Sequence, residues 1–148
     1  MNATRKAMPA AASTSLTVPA KVDALSQCTE FVIAHAVEAG FTPSRLCELE
    51  LVVEEVVTNI CRHGYDDQLG QLELRCRRVG TQRLLLEFID GGRPFDIIAA
   101  PPPDLTADLE QREVGGLGVP LIRAMADEVS YRREGNRNIL RLIVRAER

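Results

Sequence analysis

Apolar side chains recur at three- and four-residue intervals through Leu46, Leu49, Val53, Val56, Val57 and Ile60. That spacing predicts one long amphipathic helix running from Thr42 to about His63. Thr42 is a suitable N-cap, Pro43 fits the first turn and Gly64 fits the C-cap. An earlier stripe of Val22, Leu25, Phe31, Val32, Ala36 and Val37 predicts a first helix over 22–39, ended by Gly40. Elsewhere the period falls to two. Ser15 to Val18 reads as a short strand stopped by Pro19, suited to a sheet edge where dimers often form. Leu72, Leu74 and Cys76 alternate with Glu73, Arg75 and Arg77, the pattern of a half-buried strand over 71–79. Arg83 to Ile89 is almost continuously apolar, as a central strand would be. Residues 119–126 predict a short helix. Two last strands, 128–134 and 138–145, are joined by Gly135-Asn136-Arg137.

Between Ile98 and Gly115 the periodicity stops. Three consecutive prolines, Pro101 to Pro103, preclude regular structure, so residues 99–114 predict a long loop with room for one helical turn near 106–111. Residues 1–13 are small and aperiodic and predict a disordered tail, leaving 14–148 as one domain. The order β-α-α-β-β-loop-α-β-β predicts an α/β (α+β) two-layer sandwich. Its sheet is mixed, mostly antiparallel, and covered on one face by helices.

Composition narrows the class of function. The chain has 148 residues and a net charge of -3. It is long enough for a core and too acidic for a general nucleic-acid surface. No run of eighteen apolar residues offers a membrane span, and the N-terminus is too weakly apolar for a signal peptide. Four cysteines, Cys28, Cys47, Cys61 and Cys76, form no Cys-x-x-Cys pair, and the chain has 2 histidines. This fits reduced thiols in a cytoplasmic protein and argues against a zinc site.

Three segments carry candidate chemistry. Glu55 and Asn59 lie four apart on the long helix, on a face separate from its apolar stripe. Asn is a weak helix former because its amide competes for backbone hydrogen bonds. In that pair the Glu suits a proton or water and the Asn oxygen suits a metal; a plainly solvated face has the same pattern. Asp90-Gly91-Gly92 follows the central strand. A carboxylate at a strand end can accept an exocyclic amino group, and glycines allow backbone to approach a flat ligand. A simple turn has the same letters. Gly115-Gly116-Leu117-Gly118 precedes a helix, where free N–H groups and the helix dipole suit phosphates. It is neither a P-loop nor a Rossmann fingerprint.

Taken in order, these segments resemble the N, G1 and G2 boxes of the GHKL (Bergerat) ATP-binding fold, over about Leu16 to Ala146. Asn59-x-x-x-His63-Gly64-Tyr65, Asp90-Gly91-Gly92-Arg93-Pro94-Phe95-Asp96 and Gly116-Leu117-Gly118-Val119-Pro120 are similar to the anti-sigma factor serine kinases of bacterial partner-switching systems. The resemblance implies ATP and Mg²⁺ as cofactors, with Asn59 on the metal and Glu55 as general base toward a serine hydroxyl. It implies Asp90, Gly92 and Pro94 around the adenine, Gly115, Gly116, Leu117 and Gly118 along the phosphates, and His63 with Arg62 on the phosphate side. Residues 99–114 would form the ATP lid. Pro94 stands at the usual second glycine of Asp-x-Gly-x-Gly, and Arg112 is the one basic residue of that lid. The implied partners are an alternative sigma factor, held inactive, and a STAS-domain antagonist phosphorylated on serine, with the kinase a homodimer. A second class of function fits the same residues: a nucleotide-binding regulatory module without kinase activity, acting on its partner by binding alone. A third, a detached histidine-kinase ATPase domain, would need an exposed acceptor histidine, and His35 lies in an apolar helix.

Overall fold

A computed structural model of the chain describes residues 14–64, 70–99 and 118–147. The expected tail at 1–13, the turn residues 65–69, the lid beyond Ala99, and Gly115, Gly116 and Leu117 lie outside the described residues. Five strands form one sheet: β1 (Ser15–Pro19), β2 (Gln71–Arg78), β3 (Arg83–Asp90), β4 (Ala126–Glu134) and β5 (Arg137–Arg145). Their order is β1-β2-β3-β5-β4. β1 is at an edge and β3 at the centre, as their hydrophobic patterns predict. Every pairing is antiparallel, so the parallel component of a mixed sheet has no counterpart among the described strands.

Three helices cover one face: α1 (Leu25–Glu38), α2 (Pro43–Asn59) and α3 (Gly118–Met125). α2 packs against both of the others. Its start follows the expected chemistry, since Thr42 Oγ1 accepts a hydrogen bond from Arg45 N at 3.2 Å, with Pro43 next. The first helix is shorter than its stripe suggests, because Val22–Ala24 forms a separate 3-10 turn. It ends in a Schellman closure. Gly40 takes φ 86°, Gly40 N donates to Val37 O, and Phe41 N donates to Ala36 O, each at 3.1 Å.

β4 begins two residues earlier than its alternation indicates. Its register breaks between Ala126 and Glu128, and this bulge lets the strand follow α3 without a linker. At the far end, Gly135 at φ 58° opens the two-residue turn into β5, the glycine placement of a type II′ hairpin.

The core lies between the helices and the inner sheet face. Val52, Val53, Val56 and Val57 of α2 meet Leu72, Leu74, Leu86, Phe88 and Leu142 there. Burying side chains of this size contributes about 1.5–3 kcal/mol each. Arg45 ties one edge of this layer. It is 4% exposed. Its Nη2 donates to Met125 O at the end of α3 and to Arg145 O at the end of β5, both at 3.0 Å. Nη1 stands 3.7 Å from Glu48. Nothing in the helical periodicity singles out this arginine.

The cysteines are free thiols, with Cys28 and Cys76 buried and Cys47 exposed. Burial, with nearby Cys61 adding to it, pushes the Cys28 thiol up to about 11. Burial alone pushes Cys76 up to about 12 from 9.0. A thiol whose folded pKa is raised favours the fold below its unfolded pKa, and that stabilisation fades as pH climbs toward the folded value. We predict that stability falls from about pH 9 upward, with Cys76 contributing up to about 2 kcal/mol by pH 10.5. Urea midpoints at pH 8 and 10.5 should converge in Cys76→Val relative to the parent. An equal drop in both proteins would discount Cys76.

Candidate functional site

The long helix ends in a competition for one carbonyl. Asn59 Nδ2 donates to the Glu55 backbone oxygen and to Glu55 Oε2, both at 2.7 Å. A side-chain donor on the i-4 carbonyl loosens the helical ladder. The chain passes at once into a π-helical turn, Ile60–Gly64, a geometry frequent at functional sites. Glu55 offers only acceptors, so the Asn59 amide turns its NH₂ toward Glu55 and its oxygen away.

Asn59 faces a cleft between the end of α2 and the inner face of β3, β4 and β5. Its walls are mainly apolar: Val56, Ile60, Phe88, Phe95, Ile97, Tyr131 and Leu140, with Asn59, Asp90 and Asn138 as the other lining groups. Ligand sites commonly combine such apolar walls with a few fixed polar groups.

β3 delivers Asp90 into this cleft, 5% exposed. Asp90 Oδ1 accepts from Gly92 N at 2.8 Å and from Asn138 Nδ2 at 3.0 Å. Among the described residues both donors use Oδ1, which leaves Oδ2 for a ligand. The charge of Asp90 reaches further. The Cys61 thiol in the π turn is pushed up, first by its own burial and then by Asp90.

Asn138 is the residue that motif reasoning missed. It lies directly across from Asp90 in the β3–β5 register and is 5% exposed. Its Nδ2 also donates to Arg93 O at 2.8 Å. Its Oδ1 accepts from Tyr131 OH at 2.5 Å, Arg133 Nη1 at 3.1 Å and Phe95 N at 3.4 Å. Arg133 Nη1 further donates to Gly92 O at 2.7 Å. The turn after Asp90 is thus pinned at Gly92, Arg93 and Phe95. The available signal was an asparagine at the head of a largely apolar strand; its pairing with Asp90 comes from the β3–β5 register, which the sequence pattern does not carry.

The expected site residues fall into three groups. Asn59 and Asp90 share the cleft, and Glu55 is bonded to Asn59. Gly92 is buried in the turn and Pro94 is exposed beside it. His63 falls in the π turn, with its side chain outside the described residues. Gly118 opens α3, which is held near the site because Arg123 donates to Ile98 O at 2.5 Å. Gly115, Gly116 and Leu117 lie outside the described residues.

The amide oxygen of Asn59 is one hard donor, suited to Mg²⁺, which keeps few protein ligands and completes its shell with water and substrate phosphates. Among the described residues no cluster of three or more His, Cys, Asp or Glu could hold a metal. A single amide donor fits a metal carried in on the phosphates of a nucleotide.

Residues 18–144 match the histidine kinase-like ATPase domain family. Relatives include the serine-protein kinase RsbW of Listeria monocytogenes, 28% identical over 127 residues, covering 82% of this chain and 80% of the relative. The anti-sigma F factor of Thermoanaerobacter pseudethanolicus is 30% identical over 99 residues, covering 66% of this chain and 68% of the relative. Among solved structures, the Erythrobacter litoralis blue-light activated histidine kinase superposes with a TM-score of 0.53 at 21% identity. That alignment covers 72% of this chain and 32% of the kinase, so this chain spans about a third of its length. The isolated histidine kinase domain of that protein gives 0.50 at 18% identity, covering 95% of this chain and 69% of the domain chain. These structures establish a shared fold.

Truncating Asn138 to alanine strips a buried donor from Asp90 and Arg93 O. We predict a stability loss of about 1–3 kcal/mol. Urea unfolding should show it as a lower midpoint, and a midpoint equal to the parent's would make the amide dispensable.

Proposed function

This chain belongs to the histidine kinase-like ATPase family, and we propose that it is an anti-sigma factor with ATP-dependent serine-protein kinase activity. In this reading it binds and inhibits an alternative sigma factor and phosphorylates a serine on a STAS-domain antagonist. The names of two relatives, a serine-protein kinase and an anti-sigma factor, support both halves of the reading. The observation that carries the catalytic half is the Glu55–Asn59 hydrogen bond, with Asn59 and Asp90 lining one cleft.

Each role follows from the chemistry of the group. Asp90 Oδ2 accepts the exocyclic amino hydrogen of adenine, while the apolar walls take the faces of the base. Gly92 and Pro94 shape the turn beside it. Asn59 offers its amide oxygen to Mg²⁺ on the phosphates, a cation that neutralises charge developing during transfer. The start of α3 at Gly118, preceded by Gly115, Gly116 and Leu117, presents N–H groups suited to phosphate oxygens. His63 lies one turn beyond Asn59, on the phosphate side.

Phosphoryl transfer then needs a positioned nucleophile. The serine Oγ bonds to the γ-phosphorus, the bond from that phosphorus to the β–γ bridging oxygen breaks, and ADP leaves. The serine proton passes to the Glu55 carboxylate, which its hydrogen bond to Asn59 holds beside the phosphate end of the cleft. Phosphate on the antagonist adds charge to its contact surface and releases it, so the sigma factor is recaptured. A homodimer joined near edge strand β1 completes the proposed assembly.

The test begins with calorimetric titration of ADP and ATP in Mg²⁺. Glu55→Gln should bind both nucleotides within about threefold of the parent and lose transfer by about 10²-fold or more. Transfer is read as acid-stable, serine-linked phosphate on a STAS-domain protein. Acid-labile phosphate would point to histidine chemistry. Tight nucleotide binding with no transfer to any STAS-domain substrate would favour a regulatory module that acts by binding alone.

A further inference from the structure

The Tyr131–Arg133–Asn138 cluster is more than support for a turn. An asparagine amide can face a carboxylate in two ways. With Nδ2 forward it donates; with Oδ1 forward it sets an acceptor against a negative charge. The donors around Asn138 decide between these. Tyr131 OH, Arg133 Nη1 and Phe95 N all converge on Oδ1. They force Nδ2 toward Asp90 Oδ1 and Arg93 O. Asp90 Oδ1 then accepts from both Asn138 Nδ2 and Gly92 N, and Asp90 lines the cleft. Tyr131 contributes twice, since its ring also lines the cleft.

We propose that Tyr131 and Arg133 are positioning residues for nucleobase selection: by locking the Asn138 amide with Nδ2 toward Asp90 they fix the orientation of the Asp90 carboxylate, so the cleft takes a base that sets an exocyclic amino group against it and rejects the 6-oxo analogue. This rests on the nucleotide reading above. A fixed acceptor gains a hydrogen bond from the amino group of adenine. The carbonyl oxygen of hypoxanthine brings a second acceptor to the same point, and a site built to bond a donor discriminates strongly against a ligand lacking it. If Asn138 is free to turn, Asp90 loses its fixed partner and can rotate, and the discrimination falls. Tyr131→Phe removes one of three donors while keeping the ring. Adding Arg133→Met removes a second and releases Gly92 O.

The probes are ADP and IDP, titrated calorimetrically against the full chain in Mg²⁺, with thermal melts as a folding control. The parent should favour ADP over IDP. Tyr131→Phe should narrow that ratio about threefold, and Tyr131→Phe/Arg133→Met about tenfold. A ratio unchanged in both variants would overturn the proposal, as would a parallel loss of ADP and IDP affinity, which marks a purely structural role. A parent that binds ADP and IDP equally also overturns it while leaving the nucleotide site standing. A parent that binds neither removes the nucleotide reading and this inference with it.

Discussion

The pairing of Asp90 with Asn138 is the constraint on which the cleft depends. Two buried polar side chains meet across the β3–β5 ladder, each at a strand end and each satisfied largely by the other and by the turn between Asp90 and Phe95. Register makes this possible. A slip by one residue would send Asn138 to the outer face and leave Asp90 buried without its partner. The hairpin turn at Gly135 sets the neighbouring β4–β5 register, which brings Arg133 opposite Asn138.

Much of this was legible in the sequence. The stripe of α2, the Thr42 cap, the alternation of β2 and the apolar run of β3 each obey a short-range rule, and each stands where that rule puts it. The boundaries that shifted did so for local reasons: a 3-10 turn before α1, a bulge at Asp127, a π turn after Asn59. Glu55, Asn59 and Asp90 were legible as candidates because each of their motifs lies within one element or at its end. Asn138, Tyr131, Arg133 and Arg45 were not. Their roles depend on strand register and on contacts between elements, for Asn138, Arg133 and Arg45 across forty residues or more, and one-dimensional patterns carry no register.

The site divides its labour physically. One end of the cleft is apolar and aromatic, with a single anionic acceptor, and suits a flat base. The other end holds the Glu55–Asn59 pair, where a carboxylate and an amide are fixed by one hydrogen bond. An amide oxygen carries no net charge, so it can meet a metal–phosphate complex without adding to its negative charge. In the proposed function the carboxylate beside it takes the proton, and the two groups sit one helical turn apart.

Arg45 has a consequence for how the chain assembles. Its main acceptor, the carbonyl of Arg145, lies one hundred residues away in sequence. Contacts of that separation form only after a long loop has closed. Until β5 arrives, α2 carries a cation at a position destined for burial without the Arg145 carbonyl to receive it. The helical layer therefore cannot finish before the sheet does, and this favours a single cooperative transition. The same bond sets a limit at the C-terminal end: trimming the chain past Arg145 would leave a buried guanidinium without that acceptor, 100 positions from the cut.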